Sequence, residues 1–173
     1  QSIPAGKAYL LWSRFTGNGG SKIMVSTSAD CGKTWSLPIK LSESNSVNQG
    51  TIGAIDPLTH ELDIVWRRFK TSSQTDAIMF VRASSNLKTV TKATPIASII
   101  PFDQQTTPGS FRTNTLPTIA VSVDSNNISR IHVAWAARAT SGGDARIVMS
   151  TSENGGGSWS APTAVDDGPM VDD

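Results

Sequence analysis

The stretch Ser28-Ala29-Asp30-Cys31-Gly32-Lys33-Thr34-Trp35 decides how the rest of the chain reads, because Ser152-Glu153-Asn154-Gly155-Gly156-Gly157-Ser158-Trp159 repeats it in the same setting. Each follows a run rich in apolar residues, Lys22-Ile23-Met24-Val25-Ser26-Thr27-Ser28 in one case and Arg146-Ile147-Val148-Met149-Ser150-Thr151-Ser152 in the other. The spacing is that of a hairpin turn closed by its own side chains. A short carboxyl or amide group can accept bonds from nearby backbone N–H groups, glycine permits positive φ, and tryptophan covers the apolar interior. Asn154 stands where the first turn has Asp30, which keeps an acceptor and loses a charge.

Outward from these turns, the flanking segments recur in a fixed order. Ala8-Tyr9-Leu10-Leu11-Trp12-Ser13-Arg14-Phe15, Leu62-Asp63-Ile64-Val65-Trp66-Arg67-Arg68-Phe69 and Ile131-His132-Val133-Ala134-Trp135-Ala136-Ala137-Arg138 each precede a polar or Gly-rich turn and a second apolar strand. A further strand follows around residues 37–41, 91–97 and 161–165, and copies two and three are preceded by candidate strands at 50–55 and 116–123. No helical period emerges, and self-similarity in fixed order predicts a repeat architecture with four strands per unit. The middle copy has Ser84-Ser85-Asn86-Leu87, with neither the glycine nor the tryptophan, so its hairpin must close differently.

The two octapeptides resemble the Asp-box, Ser-x-Asp-x-Gly-x-Thr-Trp, of the bacterial neuraminidase repeat. The resemblance implies an all-β chain of the sialidase-like superfamily: a β-propeller of four-stranded antiparallel blades, with about three blades here. The expected organisation is a single partial propeller with blade one at 7–48, blade two at 49–100, a loop at 101–114, blade three at 115–166 and the start of a next blade at 167–173. Both ends read as cut within the repeat frame. In the resembled family the box joins a blade's third and fourth strands, away from the active centre. Ser28, Asp30, Gly32, Thr34 and Trp35, with Ser152, Asn154, Gly156, Ser158 and Trp159, are therefore read as structural. The box identifies architecture and leaves the chemistry open.

Sialidases pair a tyrosine nucleophile with a glutamate, use an aspartate acid/base and grip the substrate carboxylate with three arginines. Tyr9 is the single tyrosine, and its place in mid-strand, facing opposite to Trp12, favours packing over nucleophilic attack. Arg14 and Arg68 each stand two residues after a tryptophan, on the same strand face, where cation–π stacking would explain them. Arg138 stands three after Trp135, and Arg112 precedes the first strand of blade three. Arg112, Arg14 and Arg68 are the candidates for ligand contact. Asp56, Glu61, Asp63, Asp76, Asp103 and Asp124 could supply the carboxylate pair that other glycosidases need, although Asp56-Pro57 and Asp124-Ser125-Asn126-Asn127 read more simply as turn initiators. No catalytic residue is assigned.

Fifteen Lys and Arg against fourteen Asp and Glu leave no electrostatic footprint for nucleic acid or an anionic membrane. Cys31 is the single cysteine, which excludes an internal disulfide and a multi-cysteine metal site. His60 and His132 lack neighbours at metal-ligand spacing, so no metal or cofactor is expected. Asn127-Ile128-Ser129 fits a glycosylation sequon, and no apolar run reaches the ~20 residues of a membrane helix. The composition fits a secreted or cell-surface protein. The expected function is that of a non-catalytic or incomplete sialidase-like module, glycan-binding or scaffold. The alternative is a fragment of an exo-acting glycoside hydrolase whose catalytic residues lie partly outside the chain. The partners implied are a glycan ligand and either self-association or the remaining blades of a longer chain.

Overall fold

A computed structural model describes residues 6–17, 19–43, 46–103, 114–141 and 143–166; Arg112 and residues 167–173 lie outside them. The described chain is all-β. Its first sheet is β1 (Ala8–Phe15), β2 (Ser21–Ser28) and β3 (Ile39–Lys40), paired in that order. The second is β4 (Asn48–Ile55), β5 (Leu62–Arg68), β6 (Ala77–Ala83) and β7 (Thr94–Ser98), again in sequence order. The third holds β8 (Ile100–Pro101), β9 (Thr118–Val123), β10 (Ser129–Arg138), β11 (Ala145–Ser152) and β12 (Thr163–Ala164). Every pairing is antiparallel.

The fifth strand of the third sheet comes from the segment after β7. Ile100 and Pro101 pair with Arg138 and Ala137, beyond the reach of β9, whose pairing with β10 ends at Ala134. Residues 100 and 101 are thus taken up by the sheet that follows. Pro101 suits such a place, since a proline has no N–H to give and is tolerated at a strand's margin.

Alternation along each strand sends successive side chains to opposite faces, and this stacks the sheets as blades. One face of the second sheet, with Leu62, Ile64, Trp66, Met79 and Val81, packs on Tyr9, Leu11, Ile23 and Val25 of the first. Its other face, with Val65, Ile78 and Phe80, packs on Ile131, Val133 and Trp135 of the third. These two layers are the hydrophobic core of a partial β-propeller. Trp66 and Trp135, at 1% and 3% exposure, each occupy a layer where truncation to alanine costs about 3–5 kcal/mol.

The two octapeptide turns are stapled as their chemistry requires. Ser28 Oγ donates to Asp30 Oδ1 at 2.8 Å and accepts from Gly32 N at 2.8 Å, while Thr34 donates to Asp30 through its N (2.9 Å) and Oγ1 (2.6 Å). These bonds hold the Asp30 carboxyl down to about 2 from its ordinary 3.8, the Thr34 hydroxyl contributing most. In the third sheet Ser152 Oγ donates to Asn154 Oδ1 (3.0 Å), Gly156 N donates to Ser152 Oγ (2.9 Å) and Ser158 N donates to Asn154 Oδ1 (2.8 Å). The middle turn keeps the first half of the same device. Ser84 Oγ donates to Asn86 Oδ1 at 2.9 Å, but Thr89 N replaces the glycine donor to Ser84 Oγ, and Leu87 takes positive φ (58°). Leu87 is buried in the core between the first two sheets, and that burial offsets its backbone strain.

Candidate functional site

The strands alternate direction, so their connections fall at two ends of the blades. One end carries the octapeptide turns together with the β4–β5 and β9–β10 turns. All four described non-glycine residues with positive φ, Cys31, His60, Leu87 and Asn127, lie there. The other end carries the β1–β2, β5–β6 and β10–β11 hairpins and the crossings between sheets, and there the arginines gather.

At the hairpin end, Arg67 is buried at 1% exposure and holds two carboxylates at once. Its Nε and Nη2 donate to Asp76 at 2.7 and 3.1 Å, and its Nη1 and Nη2 donate to Asp103 at 2.7 Å each. Burial pulls the guanidinium pKa down, but the bonds to Asp103 and Asp76 more than reverse this, and it stays charged. Asp103 Oδ1 also accepts from Thr115 N at 3.0 Å, and Phe102 N donates to Thr115 Oγ1 at 2.6 Å. The cluster therefore ties β5, the β5–β6 hairpin and the approach to the third sheet into one body.

Arg14 and Arg68, the described candidates for ligand contact, stand at this same end, opposite Lys22 and Ala77 respectively. Neither stacks on its tryptophan. The described arginine–aromatic contacts are instead Arg67 over Phe69 at 3.9 Å and Arg138 over Phe102 at 4.9 Å. Stacking fell to the neighbouring arginine because Phe69, two positions on, shares its strand face, whereas Trp66 Nε1 turns inward and donates to Asn48 Oδ1 at 2.8 Å. Arg68 donates to Thr75 O at 3.5 Å. No described carboxylate lies within ion-pair distance of Arg14, Arg68 or Arg138.

Arg67 is not among the residues that spacing singles out; its signal in the sequence is the doubled arginine of Trp66-Arg67-Arg68-Phe69 with Asp76 and Asp103 downstream.

Beside the arginines, a groove of about 640 Å³ opens between the second and third sheets, lined by Ile99, Ile100, Trp135, Ala137, Arg146 and Val148 among others. Arg146 is engaged by Asp166, its Nε donating to Oδ2 at 2.7 Å. Trp135 Nε1 has no partner, in contrast to Trp66. Asn48 faces Arg68, two residues past Trp66, but Pro101 faces Ala137, two past Trp135, and offers no side-chain acceptor.

At the opposite end, Arg82 is bound by three carboxylates: Asp63 (2.7 Å), Asp56 (3.1 Å) and Glu61 (3.2 Å). Asp56 initiates its turn, accepting from Leu58 N and Thr59 N, and also accepts from Ser129 Oγ of the third sheet at 2.7 Å. Burial pushes the Asp56 pKa up, but the bond from Ser129 and the two turn amides bring it below the ordinary value. Burial wins at Asp63, whose pKa is raised despite Arg82. Asp124 is likewise a turn initiator, accepting from Asn126 N and Ile128 N at 2.9 and 3.0 Å. Tyr9 donates its hydroxyl to Ser85 O at 2.6 Å, and burial raises its pKa. His132 bonds Ser122 and Thr151, and no group of three or more metal-ligating side chains occurs among the described residues.

The family model of the BNR repeat-like domain matches residues 5–170. No curated protein matches the chain. Among solved structures it is similar to the endo-arabinase from Bacteroides thetaiotaomicron VPI-5482, with a TM-score of 0.60 and 13% identity over 96% of this chain and 60% of that one. The chain thus spans 60% of the length of that enzyme, and the likeness is one of fold.

Proposed function

Because the chain belongs to the BNR repeat-like domain family, we propose that it is a glycan-binding propeller module that uses its hairpin end and is not catalytic by itself. The observation that carries this reading is the commitment of the candidate catalytic groups. Asp76 and Asp103 neutralise Arg67, Asp56, Glu61 and Asp63 surround Arg82, Asp124 holds its own turn, and the Tyr9 hydroxyl is spent on a backbone carbonyl. A general acid or nucleophile must be free to reach substrate, and these groups are taken up by bonds to protein. Arg14, Arg68 and Arg138, one from each sheet, lack a described carboxylate partner and suit an acidic sugar. An extracellular or surface setting fits such a ligand.

The second reading, part of a glycoside hydrolase whose remaining residues lie outside the chain, is favoured by the fold likeness to an endo-arabinase over 60% of that enzyme. Calorimetric titration with sialylated and with neutral arabino-oligosaccharides separates the two, alongside chromatography of the same mixtures after long incubation. The module reading expects salt-sensitive binding of the acidic glycan, weakened by Arg68→Ala, and no new products. Hydrolysis by the chain alone would sink it, and so would failure to bind any glycan.

A further inference from the structure

We propose that the groove between the second and third sheets is a binding site for an organic carboxylate with an apolar body, its charged group held at Arg138. The ligand is not a sugar, so the inference goes beyond the glycan reading and does not rest on it. The groove follows from one side chain that differs at a repeated position. Between the first and second sheets, Asn48 stands opposite Arg68, two residues past Trp66. Its amide fills the space beside the indole: Oδ1 accepts from Trp66 Nε1 at 2.8 Å, and Nδ2 donates to Ser21 O and Ser46 O at 3.0 Å each. Between the second and third sheets the same register position, opposite Ala137, belongs to Pro101. Proline has no side-chain acceptor or donor to put there. At this interface the groove of about 640 Å³ opens, a size within the range of about 300–1,000 Å³ that holds small organic molecules.

The lining selects the occupant. Ile99, Ile100, Val148, Pro162 and Ala164 give the groove apolar walls. Of its polar groups, the Thr75 and Ser98 hydroxyls bond each other at 3.0 Å, and Arg146 is paired with Asp166. A sugar ring between such walls would give up the water around its hydroxyls without compensation. Two donors of the lining residues are left over: Trp135 Nε1 and Arg138 Nε are buried without a partner. The Arg138 guanidinium lies over the Phe102 ring, and no described carboxylate is within ion-pair distance of it. A carboxylate answers this set with a negative charge and acceptor oxygens, and a hydrocarbon body answers the walls.

Titration calorimetry of the full 173-residue chain with decanoate, kept below micelle formation, tests this directly. Acetate, which lacks the tail, and decyltrimethylammonium, which carries the same tail with the opposite charge, are the controls. The expected result is one decanoate bound per chain, with both controls weaker by about tenfold or more. Arg138→Gln should weaken decanoate binding about tenfold. Ala164→Trp, at an exposed position on the wall, should fill the groove and abolish binding. No saturable binding of decanoate overturns the proposal, and so does equal binding of decyltrimethylammonium or wild-type affinity in either variant. If the bulky variant fails to fold, Arg138→Gln and the two control probes decide. Because no probe carries a sugar, failure here leaves the glycan reading standing, and failure of that reading leaves this one.

Discussion

The turn at residues 28–35 and the turn at 152–159 are bonded alike and packed differently. In the first, Trp35 is 43% exposed and donates its Nε1 to Gly32 O of its own turn at 3.2 Å. In the second, Trp159 meets Phe80 of the second sheet edge-on, with ring centroids 5.2 Å apart, and the glycines lie against Phe80 and Arg82. The staple is thus a local device that forms with or without a neighbour. What the third sheet adds is a seat: the same octapeptide becomes a latch between blades, resting on a side chain that also gathers Asp56 and Asp63.

Arg82 should show the largest effect, because it lies under the seated turn only. Arg82→Met leaves the fully buried carboxyls of Asp56 and Asp63 without their cation, a loss of about 3–5 kcal/mol by urea denaturation. Loss of protection should follow in amides of residues 152–159 and not of 28–35. Equal loosening of both turns would break the distinction between staple and latch.

A sharper comparison comes from the glycines. Gly32 and Gly156 share a φ of 85°, so alanine strains both by about 1–2 kcal/mol. At Gly32 the new methyl would meet only the Trp35 ring at 3.7 Å, whereas at Gly156 it would overlap the Phe80 ring. Overpacking adds about 1–3 kcal/mol at the second site. Gly156→Ala should therefore destabilise the chain more than Gly32→Ala, and Phe80→Leu should narrow the gap. Equal costs would mean that the seat yields freely.

The staple was legible in the sequence because its bonds join residues two and four positions apart, and the stacked faces were legible because strand alternation is local too. The latch was not. Arg67 meets Asp103 across 36 positions and Ser129 meets Asp56 across 73, and composition does not encode which carboxylate a fold will bring to which arginine. Arg14 and Arg68 drew attention through their shared spacing, yet the buried arginine was the one between Trp66 and Arg68. The middle turn looked lost for want of glycine and tryptophan. It kept the Ser84–Asn86 bond because that half of the device needs neither.

The smallest effect separates Asp30 from Asn154. Asp30, with its folded pKa held at about 2 against an ordinary 3.8, contributes stability that is complete above its ordinary value and is lost as pH falls from about 4 toward 2. Asn154 accepts from Ser152 Oγ and Ser158 N and donates its Nδ2 to Ser158 Oγ, all without titrating. Asp30→Asn should leave the fold intact near neutral pH and flatten part of the acid limb of a melting-temperature profile. Asn154→Asp should steepen that limb. Asp56, Asp124 and Asp166, whose pKa values are also lowered, give the same background in all three proteins, so the differences between profiles belong to the two turns. Coincident profiles would show that the carboxylate and the amide serve the turn equally at every pH, leaving the charge at position 30 without a part in its stability.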